Sequence, residues 1–140
     1  MSLRSIPLMV IPFILYFVVV FLSGNSVDTN TVLNTEILRP ISLPSGAVWR
    51  FTWADLIMVL TLLMLFVEIV KSTHQGQSTT LDHGLSMLMF IVCLIAFGLL
   101  RQAGSSAFFF LTLATLIDVV AGYTIAIGVA RKSLNMGTDN

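Results

Sequence analysis

Four long blocks of apolar residues decide what this chain can fold into. They cover residues 6–22, 52–70, 84–100 and 107–129, and none follows the two-residue period of a strand or the 3.6-residue period of a surface helix. Such runs are typical of membrane-spanning helices, because a hydrocarbon core about 30 Å thick needs roughly 20 helical residues. We therefore expect an all-α fold, an integral membrane bundle of four transmembrane helices forming a single domain over residues 1–140.

The composition agrees with this class and excludes several others. Hydrophobic residues make up 56% of the chain and charged residues only 10%, with a mean hydropathy of +0.96, whereas a soluble domain carries about 25% charged residues. The net charge is zero and no basic run occurs, which excludes a nucleic-acid partner. A single cysteine, Cys93, excludes an intramolecular disulfide and a cysteine-rich metal site.

The first block also has features of a secretory signal peptide, since Arg4 precedes an apolar stretch. A retained helix is favoured because the block is long for such a peptide and no small-x-small pattern follows Leu22. Cleavage stays open as an alternative. Pro7 suits the first turn of this helix, and Pro12 is expected to kink it.

The longest polar connection, residues 23–51, contains the helix breakers Pro40, Pro44 and Gly46. A connection of this length is uncommon without structure of its own. We therefore expect it to fold onto the membrane surface or onto a protein partner. The shorter polar segment 72–83 is expected to form a turn between the second and third helices.

Capping and aromatic residues mark the expected ends of the helices. Thr52 and Asp55 have the spacing of a capping box, and Ser105 or Ser106 is the expected N-cap of the fourth helix. Aromatic side chains prefer the membrane–water boundary. The expected interface anchors are Trp49, Trp53, Phe108 and Phe109.

The basic residues predict an orientation, because cytoplasmic loops carry an excess of Lys and Arg. A cytoplasmic N-terminus places Arg4, Lys71, Arg131 and Lys132 inside, and Arg39, Arg50 and Arg101 outside. The count and the Arg131–Lys132 pair favour both termini in the cytoplasm.

Asp118 lies in the middle of the fourth block and is the most informative polar residue. A charged carboxylate at that depth costs on the order of 3 kcal/mol, so it should face other helices. Small residues recur at four-residue spacing on either side of it, as in close-packed membrane helices. The expected helix-packing seam is Ala114, Gly122, Ala126 and Ala130.

Thr61 and Tyr16 lie near the middle of their own blocks, so either is an expected hydrogen-bond partner of Asp118. Glu68 lies nearer the end of the second block and is expected to pair with Lys71. The candidate intramembrane polar site is therefore Asp118, Thr61, Tyr16 and Glu68. Hydrogen bonding between helices is the favoured role of this site, and a proton or cation relay is the alternative.

The sequence contains no recognisable catalytic motif. G-x-S-x-G, H-E-x-x-H, a phosphate-binding glycine loop and paired intramembrane aspartates are all lacking. His74 and His83 do not have the spacing of metal ligands, and no histidine lies inside a block to bind haem. We expect no enzymatic activity, no metal and no cofactor.

Four segments together resemble a known family: LRSIPLMVIPFILY at 3–16, FTWADL at 51–56, LFVEIVK at 65–71 and DVVAG at 118–122. The resemblance is to small, uncharacterised four-helix inner-membrane proteins of bacteria. It implies the topology described above and a multi-pass location in the bacterial inner (plasma) membrane. No activity, cofactor or functional residue comes with it.

Two functions remain as hypotheses. The first is a non-catalytic accessory or scaffold subunit that is surrounded by membrane lipid and packs against other membrane subunits or against itself. The second is a small oligomeric channel or proton-coupled carrier built around Asp118.

Overall fold

A computed structural model describes residues 6–24, 26–74 and 80–138, apart from the side chains of His74, Thr80 and Thr138. This part of the chain is mostly helical, which confirms the all-α class. The elements in chain order are α1 (Val10–Leu22), α2 (Thr29–Leu33), β1 (Ile41–Ser42), β2 (Val48–Trp49), α3 (Trp53–His74), α4 (Thr80–Leu99), a 3₁₀ turn (Arg101–Ala103) and α5 (Ser106–Thr138).

Three of the described helices, α3, α4 and α5, are long and apolar enough to cross a membrane. The remaining apolar helix, α1, has 13 residues, which is about 20 Å at 1.5 Å per residue. It begins at Val10 rather than at residue 6, because Pro12 has no N–H to donate to the carbonyl of Leu8. The N–H of Ile11 donates to that carbonyl instead, over 3.0 Å. Pro12, expected to kink the helix, lies in its first turn.

The long helices extend beyond the apolar blocks. The segment 72–83, predicted as a turn, contributes its first residues to α3 and its last to α4, and α5 continues past 129 to Thr138. Polar residues do not stop these helices, since Lys and Arg are good helix formers. Asp82 favours the first turn of α4 because a carboxylate there interacts well with the helix dipole.

Both predicted caps are present. The Thr52 N–H donates to Asp55 Oδ2 over 3.0 Å, and the Asp55 N–H donates to Thr52 Oγ1 over 3.4 Å, which completes a capping box. Ser105, rather than Ser106, caps α5, because its Oγ accepts a hydrogen bond from the Phe108 N–H over 3.2 Å.

The helices pack around α5, which contacts both α3 and α4, while α1 packs mainly on α3. Phe108 is fully buried between α5 and α1, with ring centroids 5.0 Å from Tyr16 and 5.7 Å from Phe17. The structure therefore places Phe108 in the core and not among the interface anchors. Large apolar side chains such as Leu62 and Ile95 cover the outer faces of the long helices.

An antiparallel β-ribbon, residues 35–53, forms most of the connection between α2 and α3. At its base the Ile37 N–H donates to the Phe51 carbonyl over 2.9 Å, and at its tip the Leu43 N–H donates to the Ala47 carbonyl over 2.8 Å. Gly46 closes the tip with φ +88°, the left-handed conformation that favours glycine in a three-residue hairpin loop. The predicted helix breakers of this connection thus build a hairpin.

Candidate functional site

A small polar cavity lies between α3, α4 and α5, where α3 ends and α4 begins. Its volume is about 40 Å³, enough for a few water molecules, since one needs roughly 10–15 Å³. The charged and polar side chains that line it include Glu68, Lys71, Asp82, His83, Ser86 and Asp118. We call this site the polar cavity.

Glu68 joins α3 to the start of α1. The residue is 6% exposed, and its Oε1 accepts a hydrogen bond from the Leu8 N–H over 2.7 Å. The same oxygen lies 3.9 Å from Lys71 Nζ. N–H groups at the start of a helix have no partner within the helix, and burial removes the water that would otherwise accept their hydrogen bonds. A buried carboxylate there accepts a hydrogen bond in place of that water. The expected pairing of Glu68 with Lys71 is therefore present, together with a helix-to-helix contact that was not predicted.

Asp118 joins α5 to α4. Its side chain is buried and hydrogen-bonded to the side chain of Ser86, and it lines the polar cavity together with Glu68 and Lys71. Counted from the helix ends, Asp118 is about 18 Å from the start of α5 and Ser86 about 20 Å from the end of α4. The two residues therefore lie at the same level in the antiparallel pair.

The two partners expected for Asp118 form other hydrogen bonds. The Thr61 hydroxyl donates to the Ile57 carbonyl in its own helix over 2.7 Å. Tyr16 lies beside the start of α5, away from the polar cavity, where its fully buried hydroxyl donates to the Gln102 carbonyl over 2.7 Å. Neither residue belongs to the polar cavity.

Tyr16 also completes a hydrogen-bond chain with the cap of α5. Its oxygen lies 2.7 Å from Ser105 Oγ. Because the phenol has one hydrogen, which the Gln102 carbonyl accepts, the Ser105 hydroxyl donates to Tyr16. Ser105 Oγ in turn accepts from the Phe108 N–H. These hydrogen bonds link α1 to the turn before α5.

Three residues of α4, namely Asp82, His83 and Ser86, line the polar cavity but were not predicted as site residues. Asp82 and His83 fall in the segment 72–83, which was expected to be a turn. The His83 ring stacks on Tyr123 with centroids 4.9 Å apart and planes at 20°. Asp82 Oδ1 is buried without a hydrogen-bond partner among the described residues. The spacing of Asp82 and Ser86, four residues apart on one helical face, is the signal that could have found them.

The predicted packing seam is only partly inside the protein. Ala114 and Gly122 are buried, Ala126 is half-buried and Ala130 is exposed. A Cβ on Gly122 would lie 3.5 Å from Nδ1 of His83, so the seam contacts α4 at this point. Further along α5, residues 131–137 are exposed.

The remaining interface anchors lie at the other end of the helices. Trp53 is the first residue of α3 and is half-buried, while Phe109 near the start of α5 is exposed. Trp49 lies on the β-ribbon and is also exposed. The boundary role of these three residues stays a prediction.

The polar cavity therefore offers carboxylates, an ammonium group and an imidazole around a space for water. Within the described ranges, no group of three or more His, Cys, Asp or Glu residues is arranged to hold a metal ion. The chain matches no family model, no curated protein and no solved structure.

Proposed function

We propose that the chain is a multi-pass protein of the bacterial inner membrane with four spans, both termini being cytoplasmic. The short helix α1 counts as a span because it contributes buried residues, including Tyr16 and Val20, to the same core as the three long helices. Its start lies beside Glu68 near the end of α3, as expected for neighbouring antiparallel spans.

In this orientation the polar cavity lies on the cytoplasmic side, with Lys71, Arg131 and Lys132. The β-ribbon, with Arg39 and Arg50, lies on the outer side. Arg4, which also favours this orientation, is outside the described residues.

Within the membrane the chain serves as a non-catalytic accessory or scaffold subunit that packs in a larger complex or a homo-oligomer. One observation carries this proposal: the buried polar groups are used to hold one helix against another. Glu68 joins α3 to α1, Asp118 joins α5 to α4, and Tyr16 joins α1 to the turn before α5. Hydrogen bonds of this kind stabilise packed membrane helices by about 0.6 kcal/mol each.

The layer between the polar cavity and the hydrogen bonds of Tyr16 also favours a structural role. Among the described residues it contains the buried apolar side chains of Leu65, Cys93, Leu111 and Ala114. The hydroxyl of Thr115 in this layer donates to a carbonyl of its own helix. A single copy thus offers a solute little polar surface between the polar cavity and the opposite end.

A small oligomeric channel or proton-coupled carrier is the second candidate. The polar cavity favours it, because Glu68, Asp82 and Asp118 bring three carboxyl groups to one small cavity beside His83. Ionisable residues inside membrane helices commonly mark ion and proton pathways. In this case neighbouring copies would have to complete the pathway through the apolar layer.

Two substitutions of Asp118 test the first proposal against the second. Asp118→Asn keeps the size and the hydrogen bonding of the side chain but removes its ionisation, whereas Asp118→Leu removes both. The exposed Asp28 in the polar connection provides the matched control, Asp28→Asn. Assembly is measured by size-exclusion chromatography, and proton flux is measured in vesicles.

An accessory subunit predicts normal assembly of the Asn variant, impaired assembly of the Leu variant and no flux above that of empty vesicles. Flux through the unchanged protein, lost in Asp118→Asn while assembly is intact, would contradict it and support the carrier. Asp28→Asn should change neither measurement.

A further inference from the structure

The β-ribbon has one apolar face and one polar face. Paired residues of an antiparallel ribbon share a face, and successive residues alternate. The pairs Ile41–Trp49, Leu43–Ala47 and Ile37–Phe51 therefore lie on the same face. The members of this apolar face are Ile37, Ile41, Leu43, Ala47, Trp49 and Phe51.

The opposite face is mostly polar. Glu36 and Arg50 form an ion pair across it, with 3.3 Å between the guanidinium and the carboxylate, and Ser42 lies between them and the tip. Val48, opposite Ser42, is apolar. Residues 38–40 lie between the pairs Ile37–Phe51 and Ile41–Trp49, opposite Arg50 alone, so they interrupt the alternation and belong to neither face. Among the paired residues, one face is apolar and the other is mostly polar.

Within the described part of the chain most of the apolar face is exposed, and its base at Phe51 is half-buried. Trp49 is 48% exposed, Leu43 41% and Ile41 40%. An isolated two-stranded ribbon is only marginally stable in water, and an apolar surface of this kind marks a binding face. The ribbon therefore requires another surface against its apolar side.

The position of the ribbon identifies that surface as lipid. The ribbon continues directly into α3 at Trp53, where an apolar helix long enough to span a membrane begins. Trp49 and Phe51 lie on the apolar face with ring centroids 5.5 Å apart, next to Trp53, and such aromatic residues prefer the boundary between headgroups and acyl chains. The ribbon is thus joined directly to a helix that is proposed to meet lipid.

We propose that the β-ribbon is an interfacial anchor that lies on the outer surface of the bilayer, with its apolar face among the headgroups and upper acyl chains and the Glu36–Arg50 pair towards water. This inference rests on the proposed membrane insertion. Amphipathic surface elements bind bilayers in this way, through buried apolar area on one face. The anchor fixes the outer end of α3 at the membrane boundary.

Tryptophan fluorescence in phosphatidylcholine vesicles tests the anchor, with bromine on the upper acyl chains as the lipid quencher and acrylamide as the aqueous quencher. The variant Trp53→Phe leaves Trp49 as the single reporter. Two further reporters are built on a chain with both tryptophans replaced by phenylalanine. Ser42→Trp reports from the polar face, and Leu62→Trp reports from the exposed surface of α3.

The anchor predicts that Trp49 loses about half or more of its emission to the brominated lipid and is shielded from acrylamide. The Ser42→Trp reporter should show the reverse. Quenching of Trp49 by acrylamide to the same extent as the Ser42→Trp reporter overturns the proposal. Protection of Trp49 from both quenchers also overturns it, because a protein surface would then cover the ribbon.

The Leu62→Trp reporter distinguishes failure of the anchor from failure of the proposed membrane insertion. If the lipid quenches this reporter but not Trp49, the membrane insertion stands and the anchor fails. If the lipid quenches neither reporter, the proposed insertion itself fails.

Discussion

Replacing Tyr16 with phenylalanine should destabilise the protein although the ring and its packing are kept. The lost hydroxyl is fully buried and forms two hydrogen bonds of 2.7 Å, to the Gln102 carbonyl and with Ser105 Oγ. Both partners lose their contact with Tyr16 in the variant. The turn before α5 then loses its connection to α1.

The size of the effect follows from those two bonds. At about 0.6 kcal/mol each, the average in membrane proteins, their loss costs about 1 kcal/mol. If a buried donor or acceptor is left without a partner, its desolvation penalty raises the cost to about 3 kcal/mol. We expect Tyr16→Phe to lower the free energy of unfolding by about 2 kcal/mol, midway between these limits.

Equilibrium unfolding in mixed detergent micelles, followed by circular dichroism, measures this difference. Tyr123→Phe is the matched control, because Tyr123 is 41% exposed and its ring stacking on His83 survives without the hydroxyl. The control should cost less than about 0.5 kcal/mol. Equal effects of the two variants would refute the reasoning that the Tyr16 hydroxyl holds α1 in place.

Three other predictions concern Glu68, two glycines and Cys93. Glu68→Gln keeps an oxygen for the Leu8 N–H whereas Glu68→Leu removes it, so hydrogen exchange at the Leu8 amide should accelerate clearly only in the Leu variant; equal acceleration in both would contradict the helix-capping role. Gly46→Ala should lower the free energy of unfolding by about 1–2 kcal/mol, because φ is +88° at this position. Gly84→Ala, in α4 with open space around it, should raise the free energy of unfolding by about 0.5–1 kcal/mol. Changes of the same sign in the two variants would count against these assignments. Cys93 is fully buried, so a maleimide should modify it in mass spectrometry only after denaturation, and rapid labelling of the folded protein would show that the core is open.

Features decided by neighbouring residues could be read from the sequence. The capping box of Thr52 and Asp55 and the Ser105 cap each involve groups within three residues of one another. Their geometry therefore depends little on the rest of the fold. The apolar blocks likewise predicted helices, because length and hydropathy are local properties.

The partner of Asp118 could not be read in this way. Its depth was counted from the ends of the apolar blocks, but α4 begins at Thr80, about one turn before the block does. That additional turn brings Asp82 and His83 into the helix, and both line the polar cavity together with Ser86. Which residues of two helices meet depends on packing between them, which hydropathy alone does not specify.

The β-ribbon carried a readable signal that the prolines concealed. Pro40 and Pro44 indicated only that no helix could form. Alternation of apolar residues on both sides of the turn, at Ile41 and Leu43 and again at Trp49 and Phe51, is the two-residue period of a hairpin. The alternation is short, which explains why the segment was predicted only as a connection.

Native mass spectrometry of the chain, extracted gently from its own membrane, tests the proposed accessory role most directly. The account predicts a fixed stoichiometry, either with larger membrane subunits or with further copies of the chain. Loss of the complex in Asp118→Leu but not in Asp118→Asn would support the structural use of that side chain. A chain found only as a monomer with lipid, at every protein concentration, would contradict the proposed role.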